Sequence, residues 1–174
     1  VKVKIRICLC LFICSVLFSA CGDDDYDGYV VQLLGEWEYK DTQFNIETNN
    51  TEATQLLKDY INTQEETETG NILSCKEYKG RYYHYSYYKD NEDQVLTEGI
   101  YIVYEKNLSV GGLPGMCSIE MADSDNTLHI TYDMAKNLSR EKLVDLYRQA
   151  GVGNPEGIET KTMTILKTFT RKNK

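Results

Sequence analysis

The sequence predicts a mainly β fold, with seven or eight antiparallel strands and two short helical insertions closing into a barrel. Three observations predict it. Segments with period-two alternation follow one another through short turn-like stretches. Only two segments carry the i, i+3, i+4 apolar spacing of a helix. A succession of antiparallel strands leaves two unpaired edges, and closure removes both.

Glu36 to Ile46 opens the domain as a strand, with Trp37, Tyr39, Asp41 and Gln43 expected on one face. Ala53, Leu56, Leu57, Tyr60 and Ile61 then recur at helical spacing, and Asn50 or Thr51 can cap that helix. Thr63 to Gly70 is acidic and polar, the composition of a loop. Asn71 to Tyr78, and the tyrosine-rich run Arg81 to Tyr88, read as two strands around Lys79-Gly80. After a turn-like Lys89 to Asp93, Glu98 to Glu105 reads as a strand buried through Ile100, Ile102 and Val103.

Gly111 to Gly115 is a loop; it lacks the Lys and Ser/Thr of a phosphate-binding loop. Met116 to Met121 and Thr127 to Asp133 form a hairpin around Asp123-Ser124-Asp125-Asn126. In its second strand Leu128, Ile130 and Tyr132 alternate with Thr127, His129 and Thr131. Ser139 caps a second helix, whose apolar face is Leu143, Leu146, Tyr147 and Ala150 and whose stop is Gly151. The last strand runs from about Glu159 to Arg171, with Met163, Ile165 and Phe169 on one face.

The N-terminus is built differently. Lys2, Lys4 and Arg6 precede an apolar stretch from Ile7 to Phe18, then Ser19-Ala20-Cys21. A basic start, a short apolar run and small residues before a cysteine are the parts of a secretory leader, too short to span a membrane. Phe18-Ser19-Ala20-Cys21 resembles the lipobox of bacterial lipoproteins, with Phe18 where that motif prefers an aliphatic residue. The resemblance implies cleavage before Cys21, several acyl chains on Cys21, and an outer-membrane lipoprotein of the cell envelope; more than one chain makes an anchor stable.

Asp23 to Asp25 resemble the surface-export signal of Bacteroidetes-type lipoproteins. The same aspartates, Asp23, Asp25 and Asp27 with Gly28, match the first half of an EF-hand loop. The twelfth position, where that loop needs a bidentate carboxylate, is Leu34, so the segment reads as a solvated tether. The expected organisation is therefore a leader over 1–20, a lipidated cysteine and tether over 21–32, and a barrel domain over 33–174.

Loss of Lys2, Lys4 and Arg6 with the leader takes the formal charge from −8 to −11. An acidic chain repels nucleic acid and anionic head groups, which argues against a DNA- or RNA-binding role. Of six cysteines, Cys8, Cys10 and Cys14 leave with the leader and Cys21 takes the lipid. Cys75 and Cys117 remain, and two readings stand: a disulfide, worth roughly 3–4 kcal/mol for a loop of that length, or two separate buried thiols. Their wide spacing, and the lack of other cysteines, argue against structural zinc.

Gly35-Glu36-Trp37 beside the first strand resembles the Gly-x-Trp motif that opens lipocalins. In that family the tryptophan plugs the closed end of the barrel and a basic residue after the last strand packs over its ring. The resemblance implies that role for Arg171, a cation–π contact worth roughly 0.5–2 kcal/mol, and a lipocalin-like (calycin) barrel. As a whole the chain resembles the lipocalin-like lipoproteins of Bacteroidetes.

The densest local composition is Tyr82-Tyr83-His84-Tyr85-Ser86-Tyr87-Tyr88. At period two, Tyr83, Tyr85 and Tyr87 share one face. Rings with a polar tip suit a ligand cavity or a sugar-stacking surface, and they also suit plain sheet packing. His84 and His129 show no metal-ligand spacing, and no nucleophile motif such as Gly-x-Ser-x-Gly is present. The expectation is a non-catalytic binder of a small apolar or amphipathic ligand, with no cofactor. The alternative is a filled barrel whose outer surface docks a partner protein or glycan.

Overall fold

The computed structural model describes residues 32–65, 69–79, 82–89 and 94–172. Cys21, the leader and the tether lie outside the described residues. Eight strands form one closed antiparallel barrel in the order of the sequence: β1 (Gly35–Thr48), β2 (Asn71–Lys79), β3 (Tyr82–Lys89), β4 (Gln94–Tyr104), β5 (Asn107–Val110), β6 (Cys117–Ala122), β7 (Thr127–Asp133) and β8 (Thr160–Arg171). Helix α1 (Thr51–Glu65) joins β1 to β2. Helices α2 (Met134–Asn137) and α3 (Arg140–Gln149) and a 3₁₀ turn at Pro155–Gly157 join β7 to β8. This is the antiparallel barrel that the alternation predicts, with the up-and-down order that the resemblance at Gly35-Glu36-Trp37 implies.

Two seams of the wall differ. β1 pairs with β8 from Trp37↔Arg171 to Thr48↔Thr160, nearly its whole length. It pairs with β2 only from Gly35↔Cys75 to Glu38↔Ile72. Above Glu38 that edge of β1 has no ladder partner among the described residues.

Local chemistry sets most of the element ends. Asn50 caps α1 by accepting from the Ala53 N–H at 3.0 Å, and Ser139 caps α3 by accepting from the Lys142 N–H at 3.3 Å. Gly151, at φ +86°, ends α3 in the left-handed region open to glycine. α2, which has no helical period of its own, is held by Asp133 accepting from the Lys136 N–H at 3.0 Å.

Three expectations change. A bulge between Tyr39 and Asp41 inverts the faces of β1, so Asp41 and Gln43 turn outward while Ile46 is buried. In β4 the buried residues are Tyr101 and Val103, whereas Ile100 is 40% exposed on the outer wall. The disulfide reading gives way to its alternative: Cys75 and Cys117 are free, buried thiols. They sit on β2 and β6, strands that are separated by three others around the wall.

Candidate functional site

The interior of the barrel is the candidate site, and its two ends are closed by different means. At one end Trp37 is fully buried and its Nε1 donates to the Leu33 carbonyl at 2.8 Å. The Arg171 guanidinium lies 4.2 Å from the centroid of the Trp37 ring. Its Nε donates to the Asp125 carbonyl at 3.1 Å, Nη1 to Leu34 at 3.0 Å and Nη2 to Gln32 at 2.6 Å. One planar fork therefore ties the segment before β1, the β6–β7 turn and the end of β8. Gly35 permits this: its φ is +122°, and an added Cβ would lie 3.3 Å from Arg171 Nη1.

At the other end α1 and α3 cover the barrel. Ala53, Leu57 and Ile61 of α1, and Leu143, Leu146 and Tyr147 of α3, are buried in the common core. Tyr147 also shares a hydrogen bond with Thr160 Oγ1 at 2.6 Å. Arg140 holds the loop that follows α3 by donating to the Glu156 and Ile158 carbonyls. Outside the barrel, a polar cleft of about 370 Å³ lies between the start of α1 and that loop, lined by Asn50, Glu52, Asn154 and their neighbours.

Tyr83, Tyr85 and Tyr87 share the inward face of β3. Tyr85 is fully buried, and its ring passes over Gly99, its cross-strand partner on β4. A Cβ at Gly99 would meet the Tyr85 ring at 2.9 Å, so the glycine is what lets the ring lie there. Tyr83 stacks on Tyr101, with ring centroids 5.4 Å apart and planes at 27°. Tyr87 meets Phe169 of β8 edge-on at 6.5 Å, an aromatic contact between β3 and β8 through the interior. Tyr83 and Tyr87 stay half-buried, as do the inward-facing Phe44, Met121 and Ile130. The interior is thus lined by aromatic and aliphatic groups that keep partial accessibility.

Besides Arg171, β8 carries a second cation on its inward face. Lys167 alternates with the buried Ile165 and Phe169 on β8, and its Nζ lies 5.5 Å from the centroid of the buried Tyr39 ring. Tyr39 shares a 2.8 Å hydrogen bond with Thr42, the cross-strand partner of Lys167. The alternation that sets Met163, Ile165 and Phe169 on this face sets Lys167 there too.

Two inward thiols are held far from ionisation. Burial pushes the Cys75 thiol up to about 12, an effect the adjacent Tyr101 hydroxyl partly offsets, and burial pushes Cys117 up to about 12. A thiol held that far from ionisation is a poor nucleophile near neutral pH. His84 lies 3.8 Å from Glu98, and His129 Nδ1 lies 3.2 Å from Thr168 Oγ1; both histidines alternate with the inward residues of their strands. Among the described residues, no group of three or more His, Cys, Asp or Glu side chains is placed to hold a metal ion.

The strand pairing defines an eight-stranded lipocalin-like barrel. No protein-family model matches the chain, and no curated protein matches it. Among solved structures it is similar to Echinococcus granulosus fatty-acid-binding protein 1, at 10% identity and a TM-score of 0.39, over 82% of this chain and 99% of that one. The fold assignment rests on the pairing of β1 to β8, not on that likeness.

Proposed function

We propose that this protein is a non-catalytic, lipid-anchored protein of the bacterial outer membrane whose barrel holds a small apolar or amphipathic ligand. The observation that carries the reading is the set of inward-facing side chains that remain partly accessible: Phe44, Tyr83, Tyr87, Met121 and Ile130. A core meant only for stability would close on them, since protein interiors pack to crystal density. Partly accessible apolar walls with a few hydroxyls are the usual lining of a small-molecule site. The anchor reading rests on Phe18-Ser19-Ala20-Cys21 and the aspartates after it.

Native mass spectrometry of the protein released from its own membranes tests the ligand. An adduct of constant mass is expected, and an apo mass from several lipid-rich preparations would overturn the reading. Metabolic labelling with an acyl probe tests the anchor. Label is expected on the wild-type chain and should vanish in Cys21→Ala; persistent label in that variant would sink the anchor.

A second reading is favoured by the outer wall. Tyr78 and Tyr104 are 57% and 60% exposed, and Tyr82 and Ile100 are exposed as well, apolar groups on β2 to β4 able to dock a partner protein or a glycan. Loss of partner recovery on changing Tyr78 and Tyr104 to serine, with the barrel interior intact, would favour it over the first.

A further inference from the structure

The exposed wall of β2 to β4 deepens the membrane-anchor reading, on which it rests. We propose that this wall, where it overruns β1 at the Trp37 end, seats on the lipid head groups of the bilayer that holds the anchor, with the helical end of the barrel turned away from the membrane.

The strand register isolates the surface. One rung runs Gly35↔Cys75, Cys75↔Tyr85 and Tyr85↔Gly99. β1 begins at that rung, whereas the neighbouring β2, β3 and β4 continue past it to Lys79, Tyr82 and Tyr104. Of the six large apolar side chains exposed among the described residues, four lie on this overrun: Tyr78, Tyr82, Ile100 and Tyr104. Scattered singly, such groups need no explanation; gathered at one end of three adjacent strands, they mark a contact surface. Three of the four are tyrosines, whose apolar ring and polar tip suit the layer where hydrocarbon meets head groups.

The chain also enters the barrel at this end. The Gln32 carbonyl accepts from Arg171 Nη2, and the same guanidinium lies on the Trp37 ring. Eleven residues lead from Cys21 to Gln32, so even a fully extended tether keeps this end within about 40 Å of the lipid on Cys21.

Charge agrees with that placement. From Lys76 to Tyr82 the sequence carries Lys76, Lys79 and Arg81 against Glu77 alone, a positive stretch in a chain of net charge −8. Anionic head groups attract such a stretch while they repel the rest of the chain. The β6–β7 turn lies at the same end, where Arg171 Nε donates to the Asp125 carbonyl, and it carries Asp123 and Asp125. Those carboxylates tip the contact towards the β2–β4 side.

The test places the acylated protein in vesicles of phosphatidylethanolamine and phosphatidylglycerol with brominated acyl chains. An environment-sensitive fluorophore is attached in Lys106→Cys, at the exposed turn just after Tyr104, or in Gln55→Cys, on the exposed face of α1. Cys75 and Cys117 are buried, which keeps the labelling selective. The probe at 106 is expected to shift to the blue and lose emission to the bromines, and the probe at 55 to do neither. Tyr78→Ser with Ile100→Ser should abolish the quenching at 106, and Tyr78→Trp with Ile100→Leu should retain it, which guards against a folding defect. Quenching that survives the serine changes, or that is equal at 55 and 106, overturns the inference. A probe at 106 that stays in water while the protein floats with the vesicles also overturns it, leaves the anchor standing, and returns this wall to a partner protein or glycan. A wild-type protein that does not float with the vesicles overturns the anchor reading and this inference together.

Discussion

The two ends of this barrel are closed by opposite kinds of chemistry. At the Trp37 end one guanidinium stacks on an indole and serves three backbone carbonyls from two separate segments. At the helical end two amphipathic helices bury Ala53, Leu57, Ile61, Leu143 and Leu146. The first closure depends on direction and donor count, so few residues could replace its parts. The second depends on apolar area, which many side chains supply. The Trp37 end is thus the fixed closure, holding the strands in register by directed bonds, and the helical end is the less directional one.

The comparison can be broken at its strongest point first. Trp37→Ala should cost about 3–5 kcal/mol in chemical denaturation, because it removes a fully buried ring and the surface on which Arg171 lies. A loss below about 1 kcal/mol would mean that the Trp37 end is not the fixed one. Next come two conservative changes measured side by side. Arg171→Lys keeps the charge but not the fork, and should cost about 2–3 kcal/mol as carbonyls lose their donors. Leu57→Met, at the helical end, should cost less than about 1.5 kcal/mol. If the two losses were equal, the distinction between directional and apolar closure would fall.

Alkaline pH sharpens the comparison through the two thiols. Cys75 pairs with Gly35 at the Trp37 end, and Cys117 begins β6 just after the 111–116 loop. Both are raised from 9.0 to about 12 in the folded chain, so the folded state keeps protons that the unfolded state has released. Their contribution to stability is complete below about pH 9 and is lost as pH rises towards 12. Thermal unfolding followed from pH 7 to pH 10.5 should show a fall that is smaller in Cys75→Ala; an identical fall would contradict the assignment. The smallest effect is expected for Tyr147→Phe, which removes one shared hydrogen bond to Thr160 and should cost about 1 kcal/mol. Hydrogen exchange in α3 should nonetheless quicken in that variant, while the amides of β1 and β8 keep their protection.

Much of this was legible in the chain. The caps at Asn50 and Ser139, the stop at Gly151 and the 123–126 hairpin are local events, set by residues within a turn of one another. The four-residue β5, paired with β6 only through Asn107↔Ser118 and Leu108↔Cys117, was too short to show a period. At the site, the shared face of Tyr83, Tyr85 and Tyr87 followed from alternation alone. Lys167 was not legible, because a lysine at a half-buried strand position reads as a solvent-facing residue unless its neighbours fix the parity.

By itself, then, the sequence determined the longer elements, their order and, through the resemblance at Gly35-Glu36-Trp37, the residues that close one end. Only the tertiary structure decided which side of each strand meets the interior. The physical reason is the period of two: one extra residue, as at the bulge after Tyr39, exchanges every later inward and outward position. That bulge is set by how β1 registers against β8, so no local composition announces it. The same long-range register brings Lys167 beside Thr42 and Tyr39, and the strand order leaves Cys75 and Cys117 on strands with three others between them.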